Sequence, residues 1–360
     1  MTDSQLALVS DISIWVSVGL LTLALIFFSA HLAVTGAATQ RRAEVRERKR
    51  EQALVGTGAP VLPVLEAGEA PAVDTDGTAY RDSTGTPTDS PTDSPTGLAV
   101  EPPSVDTPTG VTRRWGVLGM QLTWLATFGV VGGTVLRGLS VQRWPLGNMY
   151  EFAIVTASFA LVVFSAWSLR RDRLWLGAFV VLPVMAILLA GKRWYTEASQ
   201  LMPALDNTLW LSIHVTIATL ATALFVIGAM LGIAFLLRDS AERKGRVRGW
   251  LAGLPKADRL EAMTYGMHIF AFPLWTGVLI TGAVWAEVAW GRYWGWDPKE
   301  VWTFVIWVLY AAYLHSRATS GWSKRQATWV ALVGMLCLVL NYTAVNLIFN
   351  GLHSYSGVAT

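Results

Sequence analysis

The chain predicts an all-α fold, a polytopic membrane bundle of about eight transmembrane helices, and three observations carry that prediction. Of its 360 residues 53% are hydrophobic and only 15% charged, where soluble domains carry about 25% charged residues. The apolar residues are bunched, and the stretches 12–33, 209–237 and 327–349 reach the roughly 20 residues needed to cross hydrocarbon as a helix. The basic residues alternate from one connection to the next. Because a backbone in lipid must satisfy its own hydrogen bonds, spans of this kind are helices.

The spans fall near 12–35, 115–137, 150–169, 174–190, 208–237, 262–287, 301–316 and 326–349. Lys and Arg crowd the connections at 41–50, 170–173, 238–259 and 317–325. The opposite set holds only Arg137, Arg143, Lys192, Arg193, Arg292 and Lys299. The positive-inside rule puts the first set in the cytoplasm and both termini outside it. The first span follows acidic residues and outruns a signal-peptide core, so residues 1–35 read as a retained transmembrane anchor. Residues 36–113 open on a basic run suited to anionic headgroups. They continue through Pro, Thr, Asp, Ser and Gly, with the near-repeat PTDSPTDSP at 87–95. Too little apolar surface is available there to offset the entropy of ordering, so the segment reads as a disordered cytoplasmic linker. Residues 114–360 then form a seven-helix membrane domain. The single cysteine, Cys337, lies in the last span and rules out an internal disulfide or a CxxC pair. The lipid bilayer is the obvious partner, and no nucleic acid is expected.

The connections on the outer side are aromatic and amphipathic, above all the Trp-rich loop at 285–300. It carries Trp285, Trp290, Tyr293, Trp294 and Trp296 and closes on Asp297, Lys299 and Glu300, with Trp302 just beyond. An interfacial aromatic belt would explain the rings alone. It would not explain their interleaving with Gly291 and Gly295, where a flat ligand could approach the backbone. Trp faces offer stacking surface, and Arg292 and Lys299 could pair with carboxylates. A planar amphiphile with acidic tails suits such a surface, and porphyrin is the obvious candidate.

Heme iron takes axial ligands, often imidazole. Of five histidines, His214 lies a few residues into the fifth span and His353 just after the last, both level with the Trp-rich loop. Bis-histidine ligation of an outer heme is the leading expectation. His315 is fifteen residues beyond Glu300, about 22 Å along a helix, and so belongs to the other end with His268 and His31. A second, inner heme between His315 and one of these stays open on spacing alone. The alternative function is then a bis-heme transmembrane electron carrier of b-cytochrome type. A transporter with a mere aromatic belt is a third reading, one that leaves the outer histidines unexplained.

The run WGRYWGWD at 290–297 resembles the tryptophan-rich WWD signature of heme-handling proteins in cytochrome c maturation. GAVWA at 282–286, DPKE at 297–300, LHSR at 314–317, GLHSY at 351–355, PLGNMYE at 145–151 and LSIHV at 211–215 are similar to the CcsA/ResC type of System II. The resemblance covers most of residues 115–357. It implies that the chain presents heme b outside the cytoplasm for covalent attachment to an apocytochrome c bearing CxxCH, as a subunit of a holocytochrome c synthase in a bacterial plasma membrane, with a thylakoid membrane as the alternative. It further implies that His214 and His353 hold iron beside the loop. His315 would belong to the heme translocation route, with its counterpart supplied by a CcsB/ResB-type subunit. Thiol-reducing proteins are implied as further partners. Trp285, Trp290, Trp294, Trp296, Asp297, Arg292 and Lys299 would complete the cofactor site.

Overall fold

The computed structural model describes residues 3–56, 110–170, 173–195, 197, 208–349 and 351–353. Helices account for nearly all of them, and no strand occurs among the described residues. In chain order they are α1 (Asp3–Gly56), α2 (Gly110–Val141), α3 (Met149–Arg170), α4 (Gly177–Arg193), α5 (Thr208–Arg243), α6 (Ala257–Trp290), α7 (Pro298–Ala318), α8 (Lys324–Tyr342) and the short α9 (Ala344–Ile348). Seven are long and apolar enough to cross a membrane. The eighth long helix, α7, has Lys299 and Glu300 in its first turn and His315 and Arg317 in its last, flanking the apolar stretch. The chain is a polytopic membrane helix bundle.

Residues Met1–Ala43 and Pro108–Thr360 make one compact unit, and Glu44–Thr107 a second. The expected linker begins at 36, yet α1 continues to Gly56. The run 41–52 is rich in Arg, Glu, Ala and Gln, strong helix formers with opposite charges at helical spacing. The remainder of that linker, 57–109, lies outside the described residues.

Within the first unit α5 is the most enclosed helix, packed against α3, α4, α6 and α8. Small residues let α1 lie close along α2, as is usual where lipid supplies no hydrophobic drive between helices. Phe28 rests on Gly119 and Gly177, Ile14 on Gly133, and Ser10 Oγ donates to the Gly133 carbonyl at 2.7 Å. One end of the bundle is laced by ion pairs such as Arg317–Glu261 (2.5 Å), Lys324–Asp258 (2.9 Å) and Arg325–Asp239 (3.1 Å). The other end carries the Trp-rich loop.

Candidate functional site

The path from α6 into α7 sets the geometry of the loop. Gly291 ends α6 in the left-handed conformation (φ 69°), its N–H bonding back to the Glu287 carbonyl. Asp297 caps α7, accepting from the Lys299 N–H at 3.0 Å, while Glu300 accepts from the Asp297 N–H at 3.0 Å and the Gly295 N–H at 2.8 Å. Pro298 fills the first helical position, where no N–H is needed. The two loop glycines therefore serve the chain itself. Gly291 closes a helix, and a Cβ at Gly295 would overlap the Arg292 guanidinium.

The second Asp297 function is to hold the C-terminal segment. Its Oδ1 lies 2.8 Å from His353 Nδ1, and its Oδ2 accepts from the Leu352 N–H at 2.7 Å. Burial alone would raise this carboxyl. The hydrogen bond from His353, with those from the Leu352 and Lys299 N–H groups, outweighs burial and holds it below the usual carboxylate range. Since an ionised carboxylate only accepts, His353 Nδ1 carries the proton, and Nε2 is the atom left to ligate.

His214 reaches the same place from α5. Its Nδ1 lies 3.1 Å from the Val278 carbonyl of α6, which can only accept, so Nε2 is again left over. Gly282 makes the approach possible, because a Cβ there would stand 2.8 Å from His214 Cε1. Trp285, one turn further along α6, touches both imidazoles: nearly parallel to His214 with centroids 6.1 Å apart, and 5.7 Å from His353. Trp290 packs edgewise on Trp285 at 4.7 Å and on His353 at 4.9 Å.

These groups line one cavity of about 230 Å³, shared with Trp294, Tyr293, Lys299 and Asn341. Tyr293 and Trp294 are exposed, so the cavity opens past them. Lys299 Nζ donates to the Asn341 carbonyl at 2.9 Å. Arg292 is placed differently: it pairs with Glu300 at 3.3 Å, lies over Trp290, and is not a lining residue. Trp296 is 76% exposed at φ 59°, packed edgewise on Trp294 and likewise outside the lining. A larger cavity of about 840 Å³, on the far side of Leu146, Gly147 and Leu211, carries no histidine.

A third wall comes from the turn into α3. The Glu151 carboxylate accepts from Arg143 Nη1 (2.8 Å), the Gly147 N–H (2.7 Å) and Arg137 Nε (3.3 Å), and Asn148 caps the helix by accepting from the Glu151 N–H at 2.8 Å. Arg137 and Glu151 are fully buried. Beside them Tyr150 and Tyr195 donate to Asp11 of α1 at 3.2 and 2.6 Å, with the Arg137 guanidinium over both rings. Sequence reasoning missed Asn341, Glu151, Arg137 and Asp11. A polar or ionisable residue inside an apolar span was the available signal.

The remaining histidines lie elsewhere. His315 is exposed near the end of α7. His268 is enclosed by Phe225, Tyr310 and Tyr313, and His31 is buried against Gly116. The neighbours described for His268 and His31 have no residue in common.

The segment that carries these residues is similar to known proteins. The family model described as cytochrome C assembly protein matches residues 146–353, from the Leu146 wall to His353. The chain is 34% identical over 245 residues to the cytochrome c biogenesis protein CcsA of Chlamydomonas reinhardtii, covering 62% of this chain and 66% of that one. To CcsA of Mesostigma viride it is 30% identical over 277 residues, 70% of this chain and 89% of that one. To CcsA of Prochlorococcus marinus (strain MIT 9313) it is 31% identical over 269 residues, 64% and 81% of the two. With the matched segment running through every wall of the cavity, the chain belongs to the cytochrome c assembly protein family.

Proposed function

We propose that this chain, a multi-pass membrane protein of c-type cytochrome biogenesis, presents heme b at the extracytoplasmic face for covalent attachment to an apocytochrome c. One observation carries the reading: His214 and His353 each commit Nδ1 to an acceptor, keep Nε2 for a metal, and meet at one aromatic cavity. A carboxylate or carbonyl behind a ligating histidine is the usual way to fix tautomer and ring orientation. The residues fit the group in another respect, since Gly282 is the side-chain-free position that lets His214 stand there.

The positive-inside distribution supports placing this end outside the cytoplasm, and the membrane proposed is the plasma membrane of a bacterium. The covalent step adds each CxxCH thiol across a heme vinyl group. The chain contributes position, holding iron between two imidazoles and stacking the ring's surroundings with Trp285, Trp290 and Trp294. Exposed His315 suits a heme path shared with a CcsB/ResB-type subunit, and thiol-reducing proteins would keep the acceptor cysteines reduced. In this reading the apolar part of α1 anchors, the chain between α1 and α2 links, and the helices from α2 onward handle heme.

The test is the absorption spectrum of the detergent-purified protein co-expressed with a CcsB/ResB-type partner, beside His214→Ala and His353→Ala. Copurified heme whose Soret and α bands are lost or altered in both variants supports the site. Unchanged bands in both variants overturn it.

A further inference from the structure

We propose that Trp285, Asn341 and Lys299 form the carboxylate-binding end of this cavity and take the propionates of the heme. The proposal rests on the heme reading above and adds to it which edge of the ring is held.

Buried donors are almost always paired. Trp275 and Trp307, on the same two helices, follow that rule, donating to the Thr303 carbonyl at 3.1 Å and to Thr276 Oγ1 at 3.0 Å. Trp285 departs from it. The side chain is 2% exposed, yet its Nε1–H has no hydrogen-bond partner among the described residues. Asn341 on α8 repeats the pattern, for it is buried and its Oδ1 has no such partner. The two ends of its amide are interchangeable by rotation, so it can offer NH2 at the same place. Both residues line the cavity, and Lys299 is the one cation lining it among the described residues, tied to the Asn341 carbonyl at 2.9 Å. Glu300, the lining carboxylate, is already satisfied by two backbone N–H groups and Arg292.

One cation and two unsatisfied polar side chains lining one cavity ask for an anionic acceptor with more than one oxygen. In heme b the two propionates share one edge and the vinyl groups stand away from them. Holding the acid edge inward fixes which side of the ring is left for thiols, and makes recognition independent of iron.

The experiment titrates the full-length, heme-free protein in detergent with ferric heme b and, separately, with its dimethyl ester, which keeps the iron and vinyls but caps both acids. Wild type should bind the free acid about tenfold more tightly or better. Trp285→Phe, which keeps a ring and deletes the N–H, should narrow that ratio, as should Asn341→Leu and Lys299→Met. In each, the low-spin spectrum of two imidazole ligands should persist. Equal binding of acid and ester with that spectrum, or a ratio the three variants do not move, overturns this proposal alone. Absence of the bis-imidazole spectrum with either porphyrin overturns the ligation reading and this proposal together.

Discussion

His214 and His268 sit on neighbouring helices and are held alike, yet their surroundings differ completely. Each has Nδ1 on a backbone carbonyl, Val278 at 3.1 Å and Thr264 at 2.7 Å, and each lies on a glycine of the facing helix, Gly282 and Gly228. The fixed tautomer and the close approach are therefore not what marks a ligand. The difference is space. His214 lines a cavity with a second histidine opposite, whereas His268 is fully buried among Phe225, Tyr310 and Tyr313. A ligating imidazole needs room for the metal's other substituents, and close-packed aromatic rings leave none.

That comparison breaks most directly on deletion. His214→Ala and His353→Ala should each remove most of the copurified heme absorbance, while His268→Ala should leave the bands in place and lower only thermal stability. Loss of heme in His268→Ala with retention in the other two would reverse the assignment. Asp297→Asn comes next in size. It removes the charge and turns one of the two acceptor oxygens that hold His353, the Leu352 N–H and the Lys299 N–H into a donor, so heme affinity should fall about 10–100-fold. An unchanged affinity would mean that the C-terminal histidine is positioned by something else.

The two glycines sharpen the contrast further. A methyl at Gly282 would meet His214 at 2.8 Å and one at Gly228 would meet His268 at 2.8 Å. Gly282→Ala should therefore shift the heme spectrum and Gly228→Ala should shift only the melting temperature. The smallest effect is with acid. Asp297 has its carboxyl held below the usual range, so the stability it lends is present above the unfolded carboxylate pKa, about 3.9. It is lost as pH falls through the lower folded value. The Asp297 contacts to His353 and Leu352 should accordingly survive mild acid and weaken only below about pH 4, read as a fall in melting temperature that Asp297→Asn abolishes. The same acid loss in Asp297→Asn would point to a different group.

Much of this was legible in the residues. Long apolar runs marked the helices, and the Trp-rich loop with His214 and His353 marked the cavity, because those signals are local or repeat along one helix. What was not legible depends on tertiary contacts. Gly295 looked like an opening for a flat ligand, but the space is taken by Arg292, whose charge goes to Glu300. Trp296 looked like a stacking face, but its backbone at φ 59° turns it outward. Asn341 sits in an apolar span and gained meaning only when α8 brought it beside Lys299. The extension of α1 to Gly56 was hidden by charge, since a solvated basic run is also a good helix former.

The union of Asp11 with Tyr150 and Tyr195 has a consequence for synthesis. Asp11 and Tyr195 are 184 residues apart, and at about 5–20 residues per second the ribosome needs roughly 10–40 s to deliver the second tyrosine. Throughout that interval α1 has been made, but the hydroxyls that receive its aspartate and the Arg137 that faces them have not all followed. The contacts of the first helix with α2 can form earlier, but its carboxylate gains the second tyrosine only once the residues that follow α4 have emerged.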